Sequence, residues 1–122
     1  MKISYRASRD GIQVVLHRKT ETDSKIKFDR ITEEPSQKIR NYGARFDMGF
    51  AGPGPSQLAL AMLLDAYGEM VPTELPIARL PDAARDFMMQ HLSACALSVD
   101  AQVVEFPLET VTSFLRRTPS HG

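Results

Sequence analysis

Asp47 sits beside a turn, Gly49-Phe50-Ala51-Gly52-Pro53-Gly54-Pro55, that feeds a helix. A carboxylate at the end of an extended run and next to a helix N-terminus can serve as a general base. The same placement also suits a cap, or an ion pair with Arg45. The turn has the glycine content of an anion cradle, in which backbone N–H groups at a helix N-terminus hold a phosphate. Its prolines argue otherwise. Pro53 and Pro55 remove two donors, no lysine stands in the Walker position, and the spacing does not fit a dinucleotide fingerprint. The expectation is a rigid corner built on Gly49, Gly52, Pro53, Gly54 and Pro55. Ser56 lacks the Gly-x-Ser-x-Gly elbow of a hydrolase nucleophile. His91 and Cys95 are four apart, so a helix would place them on one face, as half a metal site or a Cys–His pair requires. No further ligand accompanies them: His17 falls in an expected strand and His121 in the tail, so a buried cysteine beside a partly exposed histidine is the better reading. Asp82 and Asp86, with Arg85 between them, suit the first turn of a helix better than an acid–base couple. The sequence therefore assigns no catalytic residue, no metal ligand and no cofactor.

A second constellation is basic. Arg6, Arg18, Lys25, Lys27 and Arg45 could share a sheet face with Tyr5 and Phe28, and aromatics among cations on a sheet are what single-strand nucleic-acid binders use. The whole chain, however, is neutral: 15 Lys+Arg stand against 15 Asp+Glu. The balance is uneven along the chain, with residues 1–45 carrying 11 cations and 6 anions and residues 46–122 carrying 4 and 9. A lysine-rich sheet face beside acidic helices gives such segregation, and a neutral total argues against strong non-specific binding to a phosphate backbone. The basic half could still meet an acidic partner.

The remaining bulk properties set the class. With 122 residues, 43% hydrophobic and 25% charged, the chain is of single-domain size and can bury a core without staples. No apolar run approaches the roughly 18–20 residues that cross a bilayer, and Met1-Lys2-Ile3-Ser4-Tyr5-Arg6 is no signal-peptide core. One cysteine cannot form an internal disulfide. The expected location is the cytoplasm, without membrane association.

Ile3 to Ala7 and Ile12 to Arg18 read as strands joined by Ser8-Arg9-Asp10-Gly11, with Ile12, Val14 and Leu16 on an apolar face. Ile26 and Phe28 suggest a brief third strand, Glu33-Glu34-Pro35-Ser36-Gln37 an exposed loop, and Arg45 to Phe50 a further extended piece with Phe46, Met48 and Phe50 on one side. A helix then starts at Gly54 or Pro55, with Gly68 placed to end it. Only Gln57 and Asp65 are strongly polar between Leu58 and Tyr67 and the residue before them, so this helix has no wet side and belongs at the centre of the fold. After a linker over Met70 to Pro76, a second helix should run from Pro81 to about Ala96. A late strand should follow over Gln102 to Phe106, and a last amphipathic helix from Pro107 should end at Arg116-Arg117. The expected class is α+β: an N-terminal antiparallel sheet, a hairpin with one or two further strands, packed on the central helix and two others. The expected layout is one domain over 1–122, with 1–50 mainly strands and loops, 54–117 mainly helical with a late strand, and 118–122 a frayed tail.

The run Phe46-Asp47-Met48-Gly49-Phe50-Ala51-Gly52-Pro53-Gly54-Pro55-Ser56-Gln57-Leu58-Ala59-Leu60-Ala61-Met62-Leu63 resembles the core of a small-domain family of unknown function in bacteria, phages and plasmids. That core is of the type aromatic-acidic-Trp-Gly-Tyr-Gly-Gly-Ser-Gly-Pro-Ala-Gln-Leu-Ala-Leu-Ala. Weaker likeness extends to Tyr5-Arg6 with Asp10-Gly11, to Asp86-Phe87 and to Val111 to Leu115. Met48-Gly49-Phe50 stands where the family has Trp-Gly-Tyr, so a hydrogen bond from that Trp N–H or Tyr O–H does not carry over. The resemblance implies no reaction. It implies a setting among accessory genes of mobile elements and their hosts; the small products of such elements often bind and block a host machine such as a CRISPR-type interference complex. The leading expectation is thus a non-catalytic protein–protein interaction module with a host protein or complex as partner, Arg6, Arg18, Lys25, Lys27, Arg45 and Asp47 being the candidate contacts. A nucleic-acid-binding or regulatory domain using the basic half is the second expectation, and a small enzyme with its site at Asp47 and the turn is the third.

Overall fold

A computed structural model describes residues 1–93 and 103–119. Its sheet begins with β1 (Lys2–Asp10) and β2 (Gln13–Glu21), paired antiparallel from Lys2 opposite Glu21 to Asp10 opposite Gln13. The turn between them is Gly11-Ile12, one step later than the sequence suggested, and Gly11 takes the positive φ of 65° that a tight hairpin needs. Ile12 consequently leaves the apolar face assigned to it and stands 95% exposed at the tip. Val14 and Leu16 do face the core, beside Tyr5 and Ala7 of β1. The third strand, β3 (Ile26–Ile31), is longer than expected and pairs antiparallel with β2. The late strand, β4 (Val103–Pro107), pairs antiparallel with the other side of β1, so the four-stranded order is β3-β2-β1-β4 and the two ends of the chain share one sheet. The expected first residue of that strand, Gln102, lies outside the described residues.

Two segments depart from expectation for a common reason: their backbone donors and acceptors find nearer partners. Arg45 to Phe50 is not a strand. Phe46 N–H donates to Glu33 Oε2 at 3.0 Å, Met48 N–H to Asp47 Oδ1 at 2.9 Å, and Gly49 N–H to Leu92 O at 2.9 Å, so no ladder forms. Phe46 and Met48 are buried as the alternation implied, but Phe50 is exposed. The supposed loop at Glu33 to Gln37 contains the short helix α1 (Glu34–Gln37), in which Ser36 is fully buried and its hydroxyl donates to Glu33 O.

The central helix α2 (Pro53–Glu69) begins a residue before the expected start and runs through Gly68 instead of stopping there. From Gly54 to Leu63 every residue is buried, as the lack of a wet side required. Leu58, Leu60, Met62 and Leu63 are each fully enclosed, worth about 1.5–3 kcal/mol apiece against exposure. A single turn of 3₁₀ helix (Ile77–Arg79) leads into α3 (Leu80–Phe87), which continues as a π-helical turn over Met88–Leu92. The predicted end of this helix near Ala96 lies outside the described residues. The last helix, α4 (Leu108–Arg116), buries Val111, Thr112, Phe114 and Leu115, and Arg116 in its last turn complements the helix dipole. Phe87 is the hinge of these parts: its ring lies 5.4 Å from Phe106 of β4 and 5.2 Å from Phe114 of α4, both edge-on. The architecture is α+β, an antiparallel sheet with helices packed on one face.

Candidate functional site

The Gly-Pro corner is built by close approach. A Cβ on Gly54 would stand 2.7 Å from Asp47 Cβ and 2.8 Å from Arg45 O, so the absence of a side chain lets the start of α2 lie directly on the 45–47 segment. Ser56 returns its hydroxyl to Gly52 O at 2.8 Å, and its side chain points into the fold as a local tie. Asp47 pairs with Arg9 of β1 at 3.2 Å, not with Arg45, and its same oxygen accepts the Met48 N–H; Arg9 also donates to Met48 O at 3.2 Å. The carboxylate thus holds the corner to the sheet. Sequence reasoning missed Arg9, which register alone could have suggested, since it ends the core-facing series Ile3, Tyr5, Ala7, Arg9.

The two polar residues of α2 prove to be its two anchors. Gln57, with no exposed surface, accepts from Tyr42 N–H at 2.9 Å and donates to Ser36 Oγ at 2.8 Å and Arg40 O at 3.1 Å. One side chain thereby fixes the whole 36–42 segment against the helix. Two turns on, Asp65 accepts the Tyr5 hydroxyl at 2.7 Å and Arg18 Nη1 at 2.9 Å, while Arg18 Nη2 reaches Glu69 at 2.6 Å. Burial and then the Asp65 carboxylate push the Tyr5 hydroxyl pKa well above its usual value, so it is a neutral donor at neutral pH. Partial burial opposes the charge on Arg18, but its hydrogen bonds to Glu69 and Asp65 outweigh this and raise its pKa. This cluster floors a groove of about 500 Å³ between β3, α1 and α2, with Ile31, Pro35, Ala61 and Leu64 as its apolar wall. Its one cation and two carboxylates bond one another within the chain, which is the pattern of an anchor between layers.

The expected basic surface is dispersed by the pleat. Tyr5 and Arg18 point to the helix layer, Tyr5 being wholly buried. Lys27 stands on that same side of β3, opposite Thr20. Lys25 lies in the hairpin between β2 and β3, and Arg45 lines a shallow hollow with Glu33, Gln37 and Gln13 at another corner. Of the five cations only Arg6 reaches the open face of the sheet. There the cross-strand rows are Arg30–His17–Arg6–Glu105 and Phe28–Lys19–Ser4–Pro107. Phe28, 46% exposed, packs edge-to-face with His17 at 6.0 Å and has the Arg6 guanidinium over its ring at 5.8 Å. Lys19 bridges Glu21 at 3.2 Å and Glu105 at 3.3 Å, which raises its pKa; the Ser4 hydroxyl and Lys19 together hold Glu105 below the usual carboxylate range. Ile26 and Val103 add exposed apolar surface on the two edge strands of this face. His17 and Arg30 were not foreseen as surface partners of Phe28. The period of two would have found them once β2 and β3 were in register.

Among the described residues, no group of three or more His, Cys, Asp or Glu is placed to hold a metal ion. The His91 ring packs 4.6 Å from Phe87, near Phe106 and Phe114, and burial lowers its pKa; Cys95 and His121 lie outside the described residues. No helix of the described residues is long and apolar enough to cross a membrane. The chain matches no protein-family model, no curated protein and no solved structure.

Proposed function

We propose that the chain is a non-catalytic protein-interaction module whose partner-binding surface is the open face of the sheet, centred on Phe28 with Arg6, His17 and Arg30. The observation that carries this reading is the combination of an exposed aromatic ring and two arginines with carboxylates interleaved. Glu21, Glu105 and Asp10 share the face with the cations, and Lys19 is committed to two of them. A mixed, partly apolar surface of this kind suits a protein partner, where aromatic and arginine side chains supply the anchors. The resemblance of residues 46–63 to a family of bacteria, phages and plasmids supports a bacterial host complex, such as a defence complex, as the class of partner.

Phe28, Arg6 and Arg30 on an antiparallel sheet also support a second reading, binding of a single-stranded nucleic acid by stacking. The burial of Tyr5 removes one of its two aromatics, and the carboxylates on the face repel phosphate. The enzyme reading, centred on Asp47, finds that carboxylate engaged by Arg9 and Met48 N–H. Affinity capture from bacterial lysate with the wild type and with Phe28→Ser tests the proposal. A protein retained by the wild type and lost on the variant is expected. Retention of the same proteins by both, or of single-stranded DNA or RNA at roughly 50 mM salt in place of a protein, would overturn it.

A further inference from the structure

Strand β3 differs from the rest of the sheet in having no covered side. Ile26 to Arg30 are exposed on both faces, including two large apolar side chains, Ile26 at 57% and Phe28 at 46%. It is also one of the two edges of the sheet, and no described strand pairs with its outer side. The ladder fixes which backbone groups that side presents. Thr22 N–H donates to Lys25 O across the β2–β3 hairpin, so residues opposite one another two steps on, Thr20 and Lys27, then Arg18 and Asp29, are the hydrogen-bonded pairs with β2. Ile26, Phe28 and Arg30 therefore direct their N–H and C=O groups outward. An uncovered edge of this kind, without proline, is a template for another strand.

We infer that this edge pairs antiparallel with β3 of a second copy of the chain about a two-fold axis through Phe28. The side chains select the occupant and the register. Pairing across a two-fold axis normal to the sheet keeps each face continuous, so even-numbered residues oppose even-numbered ones and odd oppose odd. With Phe28 opposite the partner's Phe28, the outward groups of Ile26 meet those of the partner's Arg30, and Lys27 stands opposite the partner's Asp29, twice over. A shift of one residue about the axis in either direction puts Lys27 opposite the partner's Lys27, or Asp29 opposite the partner's Asp29, and like charges directly opposite are unfavourable. One register thus satisfies the backbone and both charged positions together. Within one copy, Lys27 and Asp29 form an ion pair at 3.6 Å, but their side chains stay 66% and 50% exposed, so both remain accessible to the partner. The dimer would extend the open face into one continuous sheet with the two Phe28 rings at its centre. The inference stands on the edge and its charges, and it holds whether or not the face binds a host protein.

Sedimentation of the purified full chain over a range of concentrations tests it. The wild type is expected to move between monomer and dimer. Lys27→Glu places a carboxylate opposite the partner's Asp29 and should weaken the dimer on the order of tenfold to a hundredfold; Asp29→Lys should do the same. An equimolar mixture of the two variants restores opposite charges at both positions and should recover a heterodimer, and the double exchange should recover a homodimer. Phe28→Pro is a further variant that an edge strand tolerates, because the N–H it removes faces outward; it should abolish pairing. A wild type that stays monomeric throughout would overturn the inference. So would single variants that dimerise like the wild type, or a mixture that stays monomeric. The charge variants leave Phe28 and Arg6 in place, so loss of dimer with host-protein capture intact separates this inference from the partner reading.

Discussion

Two glycines on the same helix should respond to the same substitution with opposite signs. In Gly54→Ala the new methyl group meets Asp47 Cβ at 2.7 Å and Arg45 O at 2.8 Å, where ordinary contact needs at least 3.4 Å. Both obstacles belong to a segment that cannot slide away: Phe46 is held by Glu33, Asp47 by Arg9, and Gly49 by Leu92. The start of α2 must lift by several tenths of an ångström, and with it the packing of Leu58 and its neighbours. Overpacking of this kind costs about 1–3 kcal/mol, and the better helix propensity of alanine, smaller in a first turn than mid-helix, offsets only part of that. The expected net loss is about 1–2 kcal/mol. In Gly68→Ala the methyl group meets nothing within 4 Å, and the residue lies in the last turn of the helix, so alanine should stabilise by about 0.5 kcal/mol. Urea unfolding followed by circular dichroism reads both as shifts in midpoint at a constant slope. A Gly54→Ala variant as stable as the wild type would refute the close-approach account of the corner. Destabilisation by Gly68→Ala would refute the placement of the helix end.

Gln57→Leu keeps the volume of the side chain but leaves Tyr42 N–H and Arg40 C=O without their partner; it should cost about 2–4 kcal/mol in the same unfolding assay, and a midpoint equal to wild type would contradict the anchoring role. Tyr5 has its pKa raised above the ordinary 10.0 by burial and by Asp65, so the folded state holds its proton more tightly than the unfolded state. Its contribution is fully present below about pH 10 and is lost as pH rises beyond that, because unfolding then releases the proton. The stability difference between the wild type and Tyr5→Phe should therefore shrink with increasing pH on the alkaline side, measured by urea unfolding at successive pH values; a constant difference would contradict the buried Tyr5–Asp65 pair.

The helical half of the fold was largely legible because its signals are local. An apolar run with two polar residues marks α2, and the chemistry of those two residues turned out to be their purpose: Gln57 and Asp65 each tie the helix to a different segment. The hairpin and late strand were legible from alternation, though the turn moved by a step because Asp10 continues β1. What the sequence could not supply was anything set by register or by side-chain capture. Arg45 to Phe50 alternates like a strand, yet Glu33, Asp47 and Leu92 take its donors. Arg18 counted as a surface cation until its strand position put it beside Asp65 and Glu69. Tyr5 and Phe28 are alike by type, but their positions in paired strands set them on opposite sides of the sheet. The open face, where Phe28 meets His17 and Arg6, exists only once three strands are aligned.

The central claim is that this face contacts a protein. Phe28→p-benzoylphenylalanine, irradiated in bacterial lysate and read by mass spectrometry, tests it most directly, with Ile77→p-benzoylphenylalanine as the probe of the exposed turn before α3. Beside any adduct to the chain's own copy across the β3 edge, the account predicts a covalent adduct to a second, different protein from position 28 and not from position 77. An adduct from position 77 alone, or nucleic acid as the species captured at position 28, would contradict it.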